Sequence, residues 1–326
     1  MQNSIPTTRQ ASAANKPVVL AVDLGGSSMK GAIVTELGAT LLTETRLTPE
    51  SDIVAALIEL LLSLEASASA RGMQVVAAGV VTPGIVDEHS GMVKYASNLG
   101  WRDLPLLELL RARLDMPVAI GHDVRAAGLA EQLLGAARGS DDFVLIPIGT
   151  GVAAALIASG DTLTGASGAA GEFGHIPVVP GGELCLCGQR GCLEVYVSGA
   201  GLARRYLAQG GSPLSSKQIV ARLGTDQIAD SVWADAVQVL AQGLAIMTLL
   251  LDPKVIVIGG GFAQAGEALF APLAQALSAG LTWREAPPLV HAQLGSEAGR
   301  IGASILAFRA AGRGAVVDGW PVAATA

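Results

Sequence analysis

One pattern constrains the fold of this chain more than any other: an apolar run, a glycine-rich turn and a second apolar run occur in each half. The first copy is VVLAVDLGGSSMKGAIV from Val18, and the second is FVLIPIGTGVAAALIA from Phe143. Short apolar runs bounded by glycine predict β-strands, and the apolar spacing of residues 51–70 predicts an amphipathic helix. Strands mixed with helices throughout predict an α/β fold, and the repeated pattern indicates two related lobes.

The length and composition of the chain agree with two lobes. The chain has 326 residues, of which 51% are hydrophobic and 15% are charged, so two cores of ordinary size can be filled. We expect a small lobe over residues 17–121 and a large lobe over residues 122–299. The polar residues 1–16 and the glycine- and alanine-rich residues 313–326 are expected to be flexible tails.

Charge and composition also restrict the partners and the compartment. The formal net charge is −7, which disfavours nucleic acid as a partner but permits a small nucleotide bound by local donors. No run of about eighteen apolar residues occurs, and the N-terminal residues lack the apolar segment of a secretory signal. The odd number of cysteines argues against a disulfide framework. We therefore expect a cytoplasmic protein without a membrane span.

The turn DLGGSSMK has the residue types of a phosphate site. Its two glycines let backbone N–H groups approach a ligand closely, and its hydroxyl and ammonium groups add donors. Asp23, at the end of a strand, could hold a hydrated Mg²⁺ ion. A hairpin that simply needs glycines would explain the same residues. The candidate nucleotide residues of this turn are Asp23, Gly25, Gly26, Ser27 and Lys30.

The second glycine turn, IGTG, admits two interpretations. Gly149, Gly151 and Ala154 match the G-x-G-x-x-A dinucleotide pattern, and Glu172 follows about 20 residues later. That pattern requires a helix after the glycines, whereas the short apolar run that follows predicts the return strand of a hairpin. The sequence also lacks a G-x-x-x-x-G-K-[ST] loop. We therefore predict two phosphate-facing hairpins, together with the triple glycine at residues 259–261.

His122 and Asp123 stand where a predicted strand gives way to a helix. A carboxylate there can reach an interlobe cleft and accept the proton of a hydroxyl group that attacks phosphorus. Asp123 can equally be the N-cap of the helix that begins near Val124. His122 can form a hydrogen bond with a ligand or be a structural residue.

All the cysteines of the chain lie within one short segment, which follows a histidine. One imidazole and three thiolates suit tetrahedral zinc, and a metal with four protein ligands has a structural role. Buried free thiols beside an unrelated histidine are the alternative. The four candidate ligands are His175, Cys185, Cys187 and Cys192.

Two glutamates flank the cysteine segment. A metal that orders the segment would also place Glu172 and Glu194, whose carboxylates are good acceptors for the vicinal hydroxyls of a sugar. Solvated surface glutamates are the alternative.

The motifs taken together resemble those of the ROK family (repressors, open reading frames, kinases), in its zinc-containing branch and within the actin-like, hexokinase-type ATPase superfamily. The resemblance covers Val18 to about Ala310 and rests on DLGGSSMKG, TPGIVD, SNLGW, HDVRAAGLAE, IGTGVAAAL, GEFGHIPV, CLCGQRGCLE and DPKVIVIGGG. It implies two ribonuclease-H-like lobes around a cleft, with a helix at about residues 300–312 packed back on the small lobe. It also implies ATP-dependent phosphorylation of a hexose or amino sugar at its 6-hydroxyl.

The resemblance implies a role for each candidate residue. Asp123 would be the catalytic base, and His175 would ligate zinc through one ring nitrogen and contact the sugar through the other. The cofactors would be structural Zn²⁺ and Mg²⁺ with ATP. The sugar would be contacted by Asn98, His122, Asp123, Glu172, His175 and Glu194. The phosphates, Mg²⁺ and adenosine would lie near Asp23, Gly25, Gly26, Ser27, Lys30, Gly149, Thr150, Gly151, Gly260 and Gly261.

The sugar and the exact activity remain open at the level of sequence. His122 stands where many family kinases have an asparagine that helps to hold the sugar. Glucose is the leading substrate, and N-acetylmannosamine, N-acetylglucosamine, fructose, mannose and allose are alternatives. A sugar-responsive regulator is disfavoured because few residues precede Val18, and a sensor without turnover is disfavoured by the presence of Asp123. Polyphosphate as donor is disfavoured by the cysteine motif, and the family suggests a homodimer or homotetramer.

Overall fold

The computed structural model describes residues 16–323. The predicted flexible tail over residues 1–16 therefore lies outside the described residues, apart from Lys16, which begins the first strand.

The small lobe is built on a five-stranded mixed sheet. Its elements are β1 (Lys16–Leu24), β2 (Ser28–Thr35), β3 (Thr40–Leu47), α1 (Ile53–Ser69), β4 (Met73–Thr82), β5 (Ile85–Asp87), β6 (Met92–Ala96), β7 (Trp101–Leu104), α2 (Leu106–Arg111) and β8 (Val118–His122). The main sheet has the order β3-β2-β1-β4-β8, in which β1 is antiparallel to β2 and parallel to β4. Strands β5, β6 and β7 form a separate antiparallel sheet.

The large lobe has a second five-stranded sheet covered by helices. Its elements are α3 (Asp123–Leu134), β9 (Phe143–Pro147), β10 (Ala155–Ala158), β11 (Asp161–Thr162), α4 (Leu193–Val197), α5 (Gly199–Ala208), α6 (Ser216–Val220), α7 (Gln227–Leu251), β12 (Val255–Gly259), α8 (Gly260–Ala263), α9 (Glu267–Ala279) and β13 (Leu289–His291). The sheet order is β11-β10-β9-β12-β13, in which β9 is antiparallel to β10 and parallel to β12. Each sheet thus has an antiparallel hairpin, which the repeated sequence pattern predicts, and the structure adds a parallel strand next to it.

The unbroken apolar run of β1 reflects burial on both faces of its sheet. Val18 and Leu20 pack in one cluster with the buried side of α1. Val19 packs in another cluster with Phe308 of the last helix, α10 (Ala298–Ala310). A strand covered on both sides cannot alternate apolar and polar residues, so its periodicity is lost.

Helix α10 crosses back from the large lobe to the small lobe and fits closely against it. A Cβ atom on Gly79 of β4 would lie 2.0 Å from the carbonyl oxygen of Ala303. A Cβ atom on Gly302 would likewise lie 2.2 Å from the carbonyl oxygen of Ala126 in α3. Both positions must be glycine because no side chain fits there. Helix α10 therefore packs on β4 on one side and on α3 on the other, at the junction of the lobes.

The C-terminal segment differs from the expected flexible tail over residues 313–326. Gly314–Gly319 form a 3₁₀ helix, and Trp320 is 6% exposed, with its ring edge-on to Phe308. The indole N–H of Trp320 donates to the carbonyl of Glu36 at 2.9 Å. The described part of the segment is ordered because its large apolar side chains cover the end of α10, which the local glycine and alanine content does not reveal.

Helix α7 is long and apolar enough by composition to cross a membrane. Within the structure it packs against α9, α4 and α5, and its buried residues, including Trp233, Leu240 and Leu244, belong to the core of the large lobe. The helix therefore has the environment of a core helix in this fold.

Candidate active site

The first glycine turn lies against the segment that carries Asn98. A Cβ atom on Gly26 would lie 3.2 Å from the Cβ atom of Asn98, which belongs to the 3₁₀ turn Ser97–Leu99. The hydroxyl of Thr48 donates to the carbonyl of Gly25 at 2.7 Å and helps to hold the turn. The fold thus brings the predicted sugar residue Asn98 to the predicted phosphate turn.

Asp23 faces the cleft at the end of β1, and its carboxylate lies beside the first turn of α10. A Cβ atom on Gly299 would lie 3.0 Å from Oδ2 of Asp23. Burial, and then the charge of Asp123, raises the pKa of Asp23 to about 6, while Lys30, its cross-strand partner, acts in the opposite direction. Because the charge of Asp123 raises the pKa of Asp23, a cation bound near Asp23 would be favoured. Ser27 is exposed at the same turn.

The junction of β8 and α3 places His122 and Asp123, but their structural roles differ from the expectation that Asp123 caps the helix. His122 is the N-cap: its Nδ1 accepts hydrogen bonds from the backbone N–H groups of Val124 at 3.2 Å and Arg125 at 3.3 Å. Asp123 is the first helical residue and accepts only from the adjacent N–H of Val124, at 2.7 Å. The second carboxylate oxygen of Asp123 is therefore available to a substrate.

The environment of the junction sets the protonation of both side chains. Burial, assisted by the charge of Arg125, lowers the pKa of His122 to about 3. The imidazole is therefore neutral, and since Nδ1 is an acceptor, the proton is on Nε2. Burial raises the pKa of Asp123 above its usual value. A raised pKa makes a carboxylate a stronger base at neutral pH.

The four predicted metal ligands converge. Their ligand atoms all lie within 4.8 Å of one another, with Nδ1 of His175 at 3.8 Å from Sγ of Cys185 and Sγ of Cys187 at 3.6 Å from Sγ of Cys192. Tetrahedral zinc separates such atoms by about 3.5–3.8 Å, so the residues present fit the metal. Gly191 allows the tight bend, because its φ is 76° and a Cβ atom there would lie 1.8 Å from the carbonyl oxygen of Val179.

Glu172 and Glu194 are neighbours of the metal ligands: the backbone N–H of His175 donates to the carbonyl of Glu172 at 3.1 Å, and Glu194 lies in the first turn of α4, which follows Cys192. The side chain of Glu194 accepts a hydrogen bond from the backbone N–H of Val152 at 2.8 Å. Burial raises the pKa of Glu172, whereas the nearby His175 lowers it and the charge of Glu194 raises it further. The three side chains thus form one polar group at the cleft, and Asp123 is close enough to act on the same pKa.

The second hairpin differs from the prediction at its return strand. The apolar run from Val152 predicts that strand, but β10 begins at Ala155. Val152 forms only an isolated antiparallel bridge with Ile148. The N–H of Val152 donates to Glu194, and the N–H of Ala154 donates to the carbonyl of Gly171 at 2.8 Å.

A cavity of about 640 Å³ opens in the large lobe next to the second glycine turn. Gly149, Thr150 and Gly261, all predicted to be near a nucleotide, line it. Gly260 is not among the lining residues. Its φ is 77° and a Cβ atom there would lie 2.3 Å from the carbonyl oxygen of Ile148, so this glycine is required by the close packing of the backbone. Gly151 faces Glu194, whose Oε2 would lie 2.8 Å from a Cβ atom there.

Most of the cavity wall lies outside the motifs that point to a nucleotide in the sequence. The remaining lining comes from the beginning of α5, from α6 and from α8, and its residues are Gly199, Ala200, Ala203, Ser215, Ser216, Lys217, Val220, Phe262, Gln264 and Ala265. Residues 212–220 carry only a capping-box signal, in which Ser215 and Gln218 exchange hydrogen bonds. A capping box predicts the start of a helix but does not indicate a ligand-binding site.

The chain resembles proteins of known function over most of its length. The model of the ROK family matches residues 19–310. A glucokinase of Streptomyces coelicolor is 31% identical over 318 residues, which are 89% of this chain and 97% of that protein. A DNA-binding transcriptional dual regulator of Escherichia coli, NagC, is 32% identical over 252 residues, 73% of this chain and 61% of the regulator.

A solved structure has the same architecture. The ROK family glucokinase of Streptomyces griseus, in complex with glucose and AMPPNP, superposes with a TM-score of 0.76 at 32% identity, covering 90% of this chain and 99% of that one. The fold is therefore the two-lobed, actin-like α/β architecture. The chain belongs to the ROK family.

Proposed function

We propose that this protein is an ATP-dependent glucokinase, which transfers the γ-phosphoryl group of ATP to the 6-hydroxyl of glucose. The observation that carries the proposal is the position of Asp123 at the start of α3, where its charge raises the pKa of both Glu172 and Asp23. A base between a sugar-binding group and a phosphate-binding turn is what phosphoryl transfer to a hydroxyl requires. The likeness to glucokinases over nearly the whole chain supports the same function.

The sugar binds between the lobes in this proposal. Carboxylates of Glu172 and Glu194 accept hydrogen bonds from vicinal hydroxyls, and Nε2 of His175 and of His122 add polar contacts. Asn98 reaches the sugar from the small lobe, beside Gly26. Because these residues come from both lobes, sugar binding favours closure of the cleft, and closure excludes water that would compete with the sugar as acceptor.

Asp123 acts as the general base. Its carboxylate takes the proton of the 6-hydroxyl as that oxygen forms a bond to the γ-phosphorus, and the bond between the γ-phosphorus and the leaving oxygen of ADP breaks. The proton remains on Asp123 until the sugar phosphate leaves. The raised pKa of Asp123 brings its basicity closer to that required for this transfer.

The two glycine turns hold the phosphates, and the cavity beside the second turn holds the nucleoside. The N–H of Gly25 donates to the carbonyl of Ser28, and that of Gly149 donates to the carbonyl of Gly151. The phosphate oxygens therefore accept from the backbone N–H groups of Gly26, Thr150 and Gly151, with the ammonium group of Lys30 as a further donor. The cavity of about 640 Å³ has the size of a small-molecule site. Asp23 would hold hydrated Mg²⁺, which would supply positive charge to balance the charge that develops on the phosphates.

Zinc is a structural component in this proposal. It is held by His175, Cys185, Cys187 and Cys192, and the bound ion orders the segment that presents His175 and Glu194. Nδ1 of His175 points to the thiol group of Cys185, which leaves Nε2 for the sugar. A cytoplasmic location fits this set, because a reducing compartment keeps the thiols available for the metal. The proposed oligomeric state is a homodimer or a homotetramer.

The decisive experiment measures ADP release by the purified protein with ATP and a panel of hexoses and N-acetylated amino sugars. We expect glucose to have the highest kcat/KM and its 6-deoxy analogue to give no turnover. A higher kcat/KM for another sugar would assign that sugar as the preferred substrate and would still support a sugar kinase. Absence of ADP release with every sugar, for protein that contains zinc and is folded, would exclude the kinase function. Size-exclusion chromatography with light scattering would test the oligomeric state.

A further inference from the structure

Arg125 is a buried cation two residues beyond Asp123. Its side chain is 3% exposed, and its guanidinium group makes hydrogen bonds in three directions. Nε donates to Oε1 of Glu88 at 2.7 Å, Nη2 to the carbonyl of Val86 at 2.9 Å and Nη1 to the carbonyl of Gly168 at 3.0 Å. Oε1 of Glu88 also accepts from the backbone N–H of His122 at 3.2 Å.

These partners belong to segments that are far apart in the sequence but all lead to the sugar site. Val86 lies in β5, in the small sheet whose β6 strand runs directly into the turn with Asn98. Gly168 lies in the loop that runs to Glu172. Arg125 itself belongs to the first turn of α3, which begins with Asp123. One guanidinium group therefore joins the segments that carry a sugar contact of the small lobe, the base, and a sugar contact of the large lobe.

The chemistry of the site requires arginine. A guanidinium group presents donors in a fixed plane and can reach three acceptors at once, whereas the ammonium group of lysine is a single point charge. The segments also touch directly: a Cβ atom on Gly168 would lie 2.8 Å from the carbonyl oxygen of Val86. Nζ of Lys94 donates to the carbonyl of Ser167 at 3.1 Å, which is a second bond between the small sheet and the same loop.

We propose that Arg125 is a positioning residue for sugar phosphorylation, which sets the distance between the base and the sugar-binding groups of the two lobes by bonding to Glu88, Val86 and Gly168. The inference rests on the proposed kinase function. Arg125 does not touch the reacting atoms in this role. It acts through Asp123 on its own helix and through the two segments it holds. Its charge also acts on Asp123 and Glu172, lowering the pKa of each.

The test compares steady-state kinetics of Arg125→Met, Arg125→Lys and Glu88→Gln with those of the wild type. Arg284→Met is the matched control, because it removes an ion-paired arginine from the loop between α9 and β13. We expect Arg125→Met to lower kcat/KM for glucose on the order of a hundredfold, the cost of small displacements of reacting groups. The KM for ATP should stay unchanged, since the nucleotide cavity is built from other segments. The kcat/KM of Arg125→Lys for glucose should be close to that of Arg125→Met.

The outcomes separate positioning from general stability. Arg284→Met should match the wild type, and Glu88→Gln should lower kcat/KM for glucose by about tenfold, because it keeps an acceptor oxygen but loses its charge. Three results with folded protein would overturn the proposal. Arg125→Met could have the wild-type kcat/KM for glucose, it could raise the KM for ATP as much as the KM for glucose, or Arg125→Lys could have the wild-type kcat/KM. If Arg125→Met does not fold, Glu88→Gln decides, and wild-type kinetics for that variant would overturn it. Absence of hexose phosphorylation by the wild type would instead exclude the kinase function.

Discussion

The carboxylate of Glu194 accepts a hydrogen bond from the backbone N–H of Val152 at 2.8 Å. Glu194 follows the last cysteine of the metal segment by two residues, and Val152 follows the second glycine turn. The bond therefore connects the segment proposed to bind the sugar to the turn proposed to bind phosphate. The two halves of the site in the large lobe are thus parts of one connected structure.

The first prediction concerns the base. Asp123→Asn keeps an acceptor oxygen but cannot take the proton, so kcat should fall by about 10²–10⁴-fold, while glucose binding measured by calorimetry should persist. Asp115→Asn is the control, because Asp115 is an exposed residue that precedes β8 in the chain, whereas Asp123 follows β8. The kcat of this variant should match that of the wild type. Turnover by Asp123→Asn at the wild-type rate would remove Asp123 from the role of base.

The second prediction concerns zinc. Metal analysis of the purified protein should find about one zinc per chain, and Cys192→Ser should lose it and raise the KM for glucose more than that for ATP. Burial raises the pKa of Cys192 to about 12, so the metal must displace a firmly held proton. Zinc affinity should therefore fall as the pH falls.

Leu186 provides a control within the same segment. It is fully exposed between two of the cysteines, so Leu186→Ser should keep the metal and the glucose KM. A wild-type protein that is fully active without any bound zinc would contradict the structural role of the ion.

The third prediction concerns His122. Its pKa is about 3 in the folded protein and about 6.5 when unfolded, so the unfolded state binds more protons between these values. The free energy of unfolding should therefore decrease as the pH falls from about 6.5 towards 3, by at most about 1.4 kcal/mol per pH unit. Denaturant titrations of the wild type and His122→Asn should differ by this slope.

Two substitutions separate the cap from the titration. Asn is a good N-cap, so His122→Asn should keep most of the stability at pH 8, whereas His122→Leu should lose about 1 kcal/mol. A difference between wild type and His122→Asn that does not change with pH would mean that His122 does not titrate in this range.

The fourth prediction concerns the C-terminal segment. Trp320 is 6% exposed and packs on Phe308, so Trp320→Ala should lower the free energy of unfolding by about 3–5 kcal/mol. Trp283 is 77% exposed, and Trp283→Ala should change it by about 0.5 kcal/mol or less. Urea titrations followed by circular dichroism would measure both. Equal stability of the two variants would show that the segment does not contribute to the fold.

Much of this architecture is visible in short stretches of sequence. The apolar runs that become β1 and β9 are flanked by glycine turns, and the metal set from His175 to Cys192 lies within one segment, so residue type and spacing are sufficient signals. The apolar spacing of residues 51–70 likewise predicts the helix that the structure places at Ile53–Ser69. In these cases the interactions that define the feature are formed by neighbours in the chain.

Other features depend on contacts between distant segments. The N-cap at α3 is His122 and not Asp123, because the backbone path at the end of β8 directs Nδ1 towards the free N–H groups of the helix. The walls of the cavity beside the second glycine turn come from four separate segments. The position of Trp320 depends on contacts with Phe308 of α10 and with the carbonyl of Glu36, which the surrounding glycines and alanines cannot indicate.

The linear order of residues was thus sufficient for the two-lobed α/β class, the metal set and the candidate base, because backbone preference and ligand chemistry act over a few residues. Tertiary folding alone brought Glu194 to Val152, Asn98 to Gly26, and Arg125 to three distant acceptors. Burial and long-range hydrogen bonds decide such contacts, and both depend on which segments the packed core brings together.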